Sequence, residues 1–317
     1  MSAPEWAGPA LDALLGRVAA TRDHVGARFP LFAEPGSGEW TTTRRGSWTG
    51  GFWAGLLWLR ARRTGRPTDH ATARACAARL AEWLDADTST RGLIFWYGTV
   101  PAHEDPDSGA LRARAALACR NAFEPDHGVV PWGTAFGGPR LAARTDGVPG
   151  TVPLLATADP AAADSHLRRH LTVFTDSPPT WSRGRAWLLL GVAEGVRHLG
   201  AQDLAPTADR LTGPALVPLA DERHPDGPLD TSAAAITAYA LLLLDREAEA
   251  TAILDRLVHS HLTTDGRLLD GCYEWGEGTG TEVGAGTGTA VRHELIWGSF
   301  FLASALEMLV EGLTADG

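Results

Sequence analysis

The amino-acid sequence predicts an all-α fold, a closed ring of paired helices around a central cleft. Three observations predict it. Apolar residues recur at helical spacing in segment after segment, with Gly, Pro or Asp marking the breaks. Alanine and leucine dominate a chain that is 44% hydrophobic, while strand-forming Ile, Tyr and Phe are scarce. No repeating signature runs through the chain at the roughly 30–45 residue period an open solenoid requires.

In chain order, the periodicity predicts helices over 8–27, 49–64, 69–85, 91–101, 107–122, 144–158, 161–174, 182–198, 201–220, 231–244, 247–260 and 292–313. Most connections are short, as antiparallel neighbours require. The stretch 231-TSAAAITAYALLLL-244 is rich in small side chains, which let an inner helix pack tightly between neighbours. An array of four-helix bundles is the alternative arrangement. No linker-like tract and no composition shift divides residues 1–317, so one domain is expected. Three long irregular segments interrupt the helices: 34–48, 125–140 and 265–290. Each carries Gly and Trp, and loops of this length in a compact domain are usually functional. The GEGTGTEVGAGTG run in the last has no Lys and no Walker spacing, so it reads as a lid rather than a phosphate cradle.

The 317 residues carry a net charge of −10, which argues against nucleic-acid and anionic-membrane partners. Cys76, Cys119 and Cys272 form no close pair and no metal-ligand spacing, which fits a reducing cytoplasm. The first residues lack a basic region followed by an apolar core, so no signal peptide is expected, and no apolar run reaches membrane-spanning length. The histidines are dispersed, and 259-HSH-261 does not place two ligands on one helical face, so no metal is expected. No nucleophile elbow, Cys-His pair or dinucleotide fingerprint stands in a credible context.

Twelve tryptophans are a large number for this length. Trp58 and Trp83 fall inside predicted helices, as core residues do. Trp40, Trp48, Trp132, Trp181, Trp275 and Trp297 fall in loops or at helix ends, where indole faces suit the C–H faces of sugar rings.

Four segments carry a resemblance. The stretch 47-SWTGGFWAGLLWL-59 resembles the start of the second helix of unsaturated glucuronyl hydrolases and the related unsaturated rhamnogalacturonyl hydrolases. The stretch 180-TWSRGRAWLLLGV-192 is similar to their W-x-R-G-x-A-W segment, and 230-DTSAAAITAYALLLL-244 to their D-S-S-A-A-A-I-x-A helix. Near the end, 269-LDGCYEW-275 and 293-HELIWGSFFLASALEML-309 look like the family's closing loop and last helix. The resemblance runs in register from about residue 10 to 312. It implies an (α/α)6 barrel, a toroid of six helical hairpins. It also implies a cofactor-free reaction on a sugar with a C4=C5 double bond in a uronic acid. C4 of the enol ether is protonated, water adds at C5, and the resulting hemiketal opens to release the sugar. One carboxyl group suffices, so the two-carboxylate spacing of ordinary glycosidases does not apply.

The resemblance points to Asp146 as that general acid/base, in 144-RTDGVPGTVPLLATA-158; an N-cap role is the alternative. Trp48 and Trp187 are the expected stacking platforms and Arg183 the anion anchor, with Arg185 as its neighbour. Trp132 in its loop, the Thr90 hydroxyl, Asp230 and Ser232 at a helix start, and His293, Glu294 and Trp297 before the last helix complete the expected substrate contacts, with helix capping the leading role for Asp230 and Ser232. Asp126 and His127 are outside candidates for proton transfer. The sequence also departs from the family. Thr90 stands where an aspartate of a T-H-D-x-G-F stretch is expected, 297-WGSFF-301 puts Ser299 in place of another acid, and a polar histidine cluster expected before the eighth helix is replaced by 161-AAADSHLRRHLTVF-174. Two other readings therefore stand beside the hydrolase: an isomerase, lyase or dehydratase acting on a modified sugar, with His293 and Asp146 as paired bases, and a carbohydrate-binding barrel without turnover.

Overall fold

A computed structural model describes residues 3–176, 179–273 and 292–312. Six helices form an inner ring: α2 (Gly50–Thr64), α4 (Tyr97–Thr99), α6 (Thr151–Ala156), α8 (Ser182–Leu199), α10 (Thr231–Leu243) and α12 (Ile296–Glu311). Helix α4 is lengthened by a π turn at Gly92–Trp96 and a 3-10 turn at Val100–Ala102. Outer helices alternate with them: α1 (Ala7–Val25), α3 (Pro67–Arg79), α5 (Pro106–Ala122), α7 (Pro160–Asp176), α9 (Ala205–Leu211) and α11 (Glu247–Ser260). Each inner helix packs on the next, and α12 returns onto α2, so the ring closes. The expected (α/α)6 barrel is present.

The inner helices are apolar nearly all round, because both faces are covered. Ala233, Ala234, Ala235, Ile236, Ala238 and Ala240 of α10 are all buried between α8 and α12. Aromatic rings fill the axis. Phe52 stacks on Tyr97 at 5.6 Å and on Trp187 at 6.3 Å, and meets Phe300 and Phe301 at 5.5 Å each. Such pairs add about 0.5–1.5 kcal/mol each beyond the area they bury.

Several boundaries differ from the periodicity, each for a local reason. The expected helix 201–220 ends at Leu211, because Gly213 and Pro214 follow; Leu219 and Asp221 instead form bridges to Leu229 and Trp181. The expected helix 144–158 is split into a 3-10 turn at Thr145–Gly147 and α6, because Pro149 and the positive φ of Gly150 (69°) stand between them. The α-helix expected to 85 ends at Arg79 and continues as a 3-10 turn, Leu80–Trp83. The last helix begins at Ile296 rather than 292, since Glu294–Leu295 is a strand. That strand, β3, pairs antiparallel with β1 (Phe29–Ala33), which also pairs with β2 (Trp40–Thr43). This three-stranded sheet was not expected.

Candidate active site at the mouth of the ring

The N-terminal ends of the six inner helices meet around one mouth, and contacts can be followed from each to the next. Trp48, before α2, lies 5.0 Å from Trp297 at the start of α12. Gly298 of α12 abuts Ser232 of α10: a Cβ there would come within 3.2 Å of the serine side chain. Asp230, the N-cap of α10, bonds Arg183 of α8. Gly184 of α8 faces Thr145, before α6. Gly150 crosses Gly92 so closely that a Cβ on it would fall 2.6 Å from the Gly92 carbonyl oxygen. Gly51 of α2 closes the circle against the Leu93 and Ile94 carbonyls. Six helix N-termini thus turn their partial positive charge toward one opening.

Arg183 is the best-held side chain of this mouth. Its Nη1 donates to Asp230 Oδ2 at 2.9 Å and to the Cys272 carbonyl at 2.5 Å, and its Nη2 donates to the Tyr273 carbonyl at 3.0 Å. The guanidinium sits between the rings of Trp181 (5.0 Å) and Trp297 (5.3 Å). The other carboxyl oxygen of Asp230 accepts from the Ser232 backbone at 3.0 Å and hydroxyl at 2.6 Å. Asp230 is fully buried, so its charge is balanced by this one arginine and by the helix N-terminus. Arg183, Asp230, Ser232, Trp48, Trp297 and Tyr273 therefore form one wall. Trp181 Nε1, Trp297 Nε1, Ser182 Oγ and Ser299 Oγ are buried there without a hydrogen-bond partner among the described residues.

The opposite wall is built of hydroxyls. Thr88 and Thr90 share a hydrogen bond of 2.9 Å, and Thr151 Oγ1 donates to the Ser89 carbonyl at 2.6 Å. Gly147 faces this cluster: a Cβ there would lie 2.4 Å from Ser89 Oγ. Its neighbour Asp146 has a 22% exposed side chain, with Oδ1 3.4 Å from Arg144 Nε. Arg144 in turn lies 4.3 Å over the Trp132 ring. Trp132 is buried and donates from Nε1 to the Gly137 carbonyl at 2.8 Å.

This flank is braced from behind. His166 is fully buried, accepts on Nδ1 from the Val130 backbone at 3.1 Å, and contacts the Gly147 carbonyl through Nε2 at 3.1 Å. It is the neutral tautomer with its proton on Nε2, because burial and the adjacent His170 hold its pKa well below the usual 6.5. Burial also lowers the pKa of His170, while the charge of Asp146 pulls it up. Deeper in the ring, Glu194 accepts from Tyr97 Oη at 2.5 Å and from the Gly150 backbone at 2.8 Å. Burial pushes its carboxyl up to about 8.

Other expected site residues stand elsewhere. Trp187 is buried in the aromatic core between Phe52 and Phe301, below the mouth. Arg185 pairs with Glu222 and abuts Gly213. Glu294 is buried in an ion-pair cluster with Arg17 (2.8 Å) and Arg267 (3.4 Å), and burial raises its pKa against their pull. His293 contacts Glu34 at 3.2 Å and meets Phe32 edge-on at 5.0 Å, one ring removed from Tyr273. Asp126 is exposed, and His127 lies 3.9 Å from Glu124 on the outer flank. Trp275 and most of the expected lid lie outside the described residues. Among the described residues, no group of three or more His, Cys, Asp or Glu is placed to hold a metal ion. Asp146 and Arg183 are joined by no hydrogen bond or ion pair, although Gly184, next to Arg183, faces Thr145, next to Asp146. Glu194, Tyr97, His166 and Ser89 were not singled out from the sequence. The i, i+4 spacing of His166 and His170 was the one local signal.

Fold and mouth define a helical toroid of the (α/α)6 class with a sugar-type aromatic opening. No protein-family model matches the sequence. The unsaturated glucuronyl hydrolase of Bacillus sp. (strain GL1) is 27% identical to this chain, with 95% of this chain and 96% of that protein aligned. The crystal structure of the unsaturated glucuronyl hydrolase from Bacillus sp. GL1, described as responsible for degradation of glycosaminoglycan, superimposes with a TM-score of 0.81 at 24% identity, covering 97% and 98% of the two chains. The structure of the Streptococcus agalactiae enzyme of that name gives 0.81 at 16% identity, covering 98% and 93%. One described as specific for heparin gives 0.78 at 17%, covering 97% of each chain. The chain is thus similar along nearly its whole length to an unsaturated glucuronyl hydrolase, and it shares the fold of several.

Proposed function

We propose that the protein hydrates the C4=C5 double bond of an unsaturated uronic acid on a small sugar, and so releases that sugar. Alignment with the Bacillus enzyme over 95% of this chain and 96% of that protein carries this reading. A relative from Streptococcus agalactiae is described in complex with dGlcA-GalNAc6S, which supports a sugar substrate. In the proposed reaction the Asp146 carboxyl donates its proton to C4. The carboxylate then takes a proton from the water that adds at C5, so the group ends as it began. The 3-10 turn at Thr145–Gly147 aims it, the His166 bond to the Gly147 carbonyl fixes that turn, and Arg144 orients one carboxyl oxygen. Trp48, part-exposed at the mouth, offers a ring face to the sugar, and the buried Trp297 backs it at 5.0 Å. Arg183 acts through its clamp on Asp230 and the 272–273 backbone, which holds the far wall in place. Thr90 contributes a hydroxyl rather than a charge.

Asp146→Asn tests the reading, with loss of the enol-ether ultraviolet absorbance as the assay. The expected result is loss of turnover with an unchanged circular-dichroism spectrum. Turnover at the parent rate would remove Asp146 from the role, and an inactive parent on a broad unsaturated panel would remove the reaction. One observation favours a second reading: the backbone position facing the hydroxyl cluster is Gly147, which carries no acid. A barrel of this lineage acting as an isomerase, lyase or dehydratase on a modified sugar would show deuterium uptake from solvent into unreleased substrate. A cytoplasmic setting is supported by Cys76, Cys119 and Cys272, which are all buried and form no disulfide.

A further inference from the structure

A hollow of about 130 Å³ lies on the outer side of the Asp146 flank, and the reaction above leaves it unused. Three segments wall it: residues 127–132, residues 141–143, and the part of α7 that carries Arg169, His170 and Val173. It adjoins the mouth. Trp132 lines it and carries the Arg144 guanidinium 4.3 Å over its ring, Ala143 precedes Arg144, and His170 is near enough to Asp146 to feel its charge.

The open part of the lining is apolar. Leu141 is 51% exposed and Val173 38%, two of only five large hydrophobic side chains exposed among the described residues. Val129, half-buried, and Ala143, exposed, stand beside them. One exposed leucine is ordinary, but aliphatic side chains from three segments around one hollow make a surface that water solvates poorly. The hollow is also charged. Arg169 lines it, is exposed, and forms no ion pair or hydrogen bond among the described residues. The arginines nearby are already met by carboxylates: Arg144 by Asp146, Arg140 by Glu124, and Arg168 by Asp164 and Asp203. No acidic side chain among the described residues lines the hollow, and burial holds the His170 imidazole neutral. Size sets the last limit, since an apolar cavity of about 150 Å³ admits benzene, so this one has room for a single ring and not for a disaccharide. We propose that the hollow is a binding site for one apolar ring bearing a carboxylate, with the ring against Leu141 and Val173 and the carboxylate on Arg169.

The test is calorimetric titration with 4-hydroxybenzoate. Binding is expected, and Arg169→Gln and Leu141→Asp should each weaken it at least about tenfold; both side chains are exposed, so the fold survives either change. The neutral 4-hydroxybenzamide should bind about tenfold more weakly than the acid, and the cationic 4-hydroxybenzylamine more weakly still. Titration with 4-carboxyphenyl glucuronide separates two sources of such a ring. Tighter binding than the free acid assigns a ring carried by the sugar at the mouth, and equal or weaker binding assigns a free acid. The proposal is overturned if the acid does not bind up to its solubility limit, if both variants bind it as the parent does, or if the amide or amine binds as well. No turnover is measured, so failure here is separate from failure of the hydrolase reading.

Discussion

Glu194 gives the sharpest prediction, because a fully buried carboxyl in the centre of the ring ties stability to pH. Its folded-state pKa is pushed from the ordinary 4.5 to about 8 by burial, although Tyr97 and the Gly150 N–H pull it down. Between those two values the folded chain holds a proton that the unfolded chain has lost. The folded state then binds more protons, so stability falls as pH rises from about 4.5, and levels off above about 8. Each pH unit is worth about 1.4 kcal/mol, so this group alone removes on the order of 3 kcal/mol between pH 4.5 and 7. Glu194→Gln carries no titrating group, and its amide can still accept from the Gly150 N–H while donating to Tyr97 Oη. Urea unfolding across pH 5–9 should show the variant gaining on the parent as pH rises, by on the order of 3 kcal/mol near neutrality. A stability difference that stays flat from pH 5 to 9 refutes a protonated Glu194.

Two further outcomes are expected. Asp230→Ala leaves Arg183 buried without its carboxylate and uncaps α10, and should destabilise the fold by about 3–5 kcal/mol by urea titration, with Asp230→Asn costing less. Cys76 and Cys119 are buried thiols raised to about 12 by desolvation, as is Cys272, so a thiol reagent should label none of the three in the native protein at pH 8 and all three in urea.

Part of the mouth was legible in the sequence and part was not. Trp48 and Trp297 stand where loop-to-helix boundaries put them, and the two rings do meet at 5.0 Å. The identity of the group facing Arg183 was hidden, because Asp230 is 47 residues away and only the neighbouring inner helix brings it near. His293 and Glu294 read as a site pair beside Trp297. A two-residue strand instead directs them to Glu34 and to Arg17 and Arg267. Adjacent strand positions face opposite ways, so a helix-start reading placed both side chains incorrectly relative to the cleft. The strand itself pairs with residues more than 250 positions earlier, which no local pattern announces.

The sequence by itself determined a succession of paired helices, because helical periodicity and small-residue packing faces are local properties written every three to four positions, whereas the six-hairpin ring came from the resemblance and is closed by α12 packing on α2. The tertiary structure decided which residues face the opening. Within one 3-10 turn, Gly147 abuts the hydroxyl cluster while Asp146 stands beside Arg144. That choice is a matter of rotation about the chain, set by His166 and Glu194 gripping the backbone from helices distant in sequence. Spacing along the chain determines which helix a side chain belongs to; only packing between helices determines what it meets.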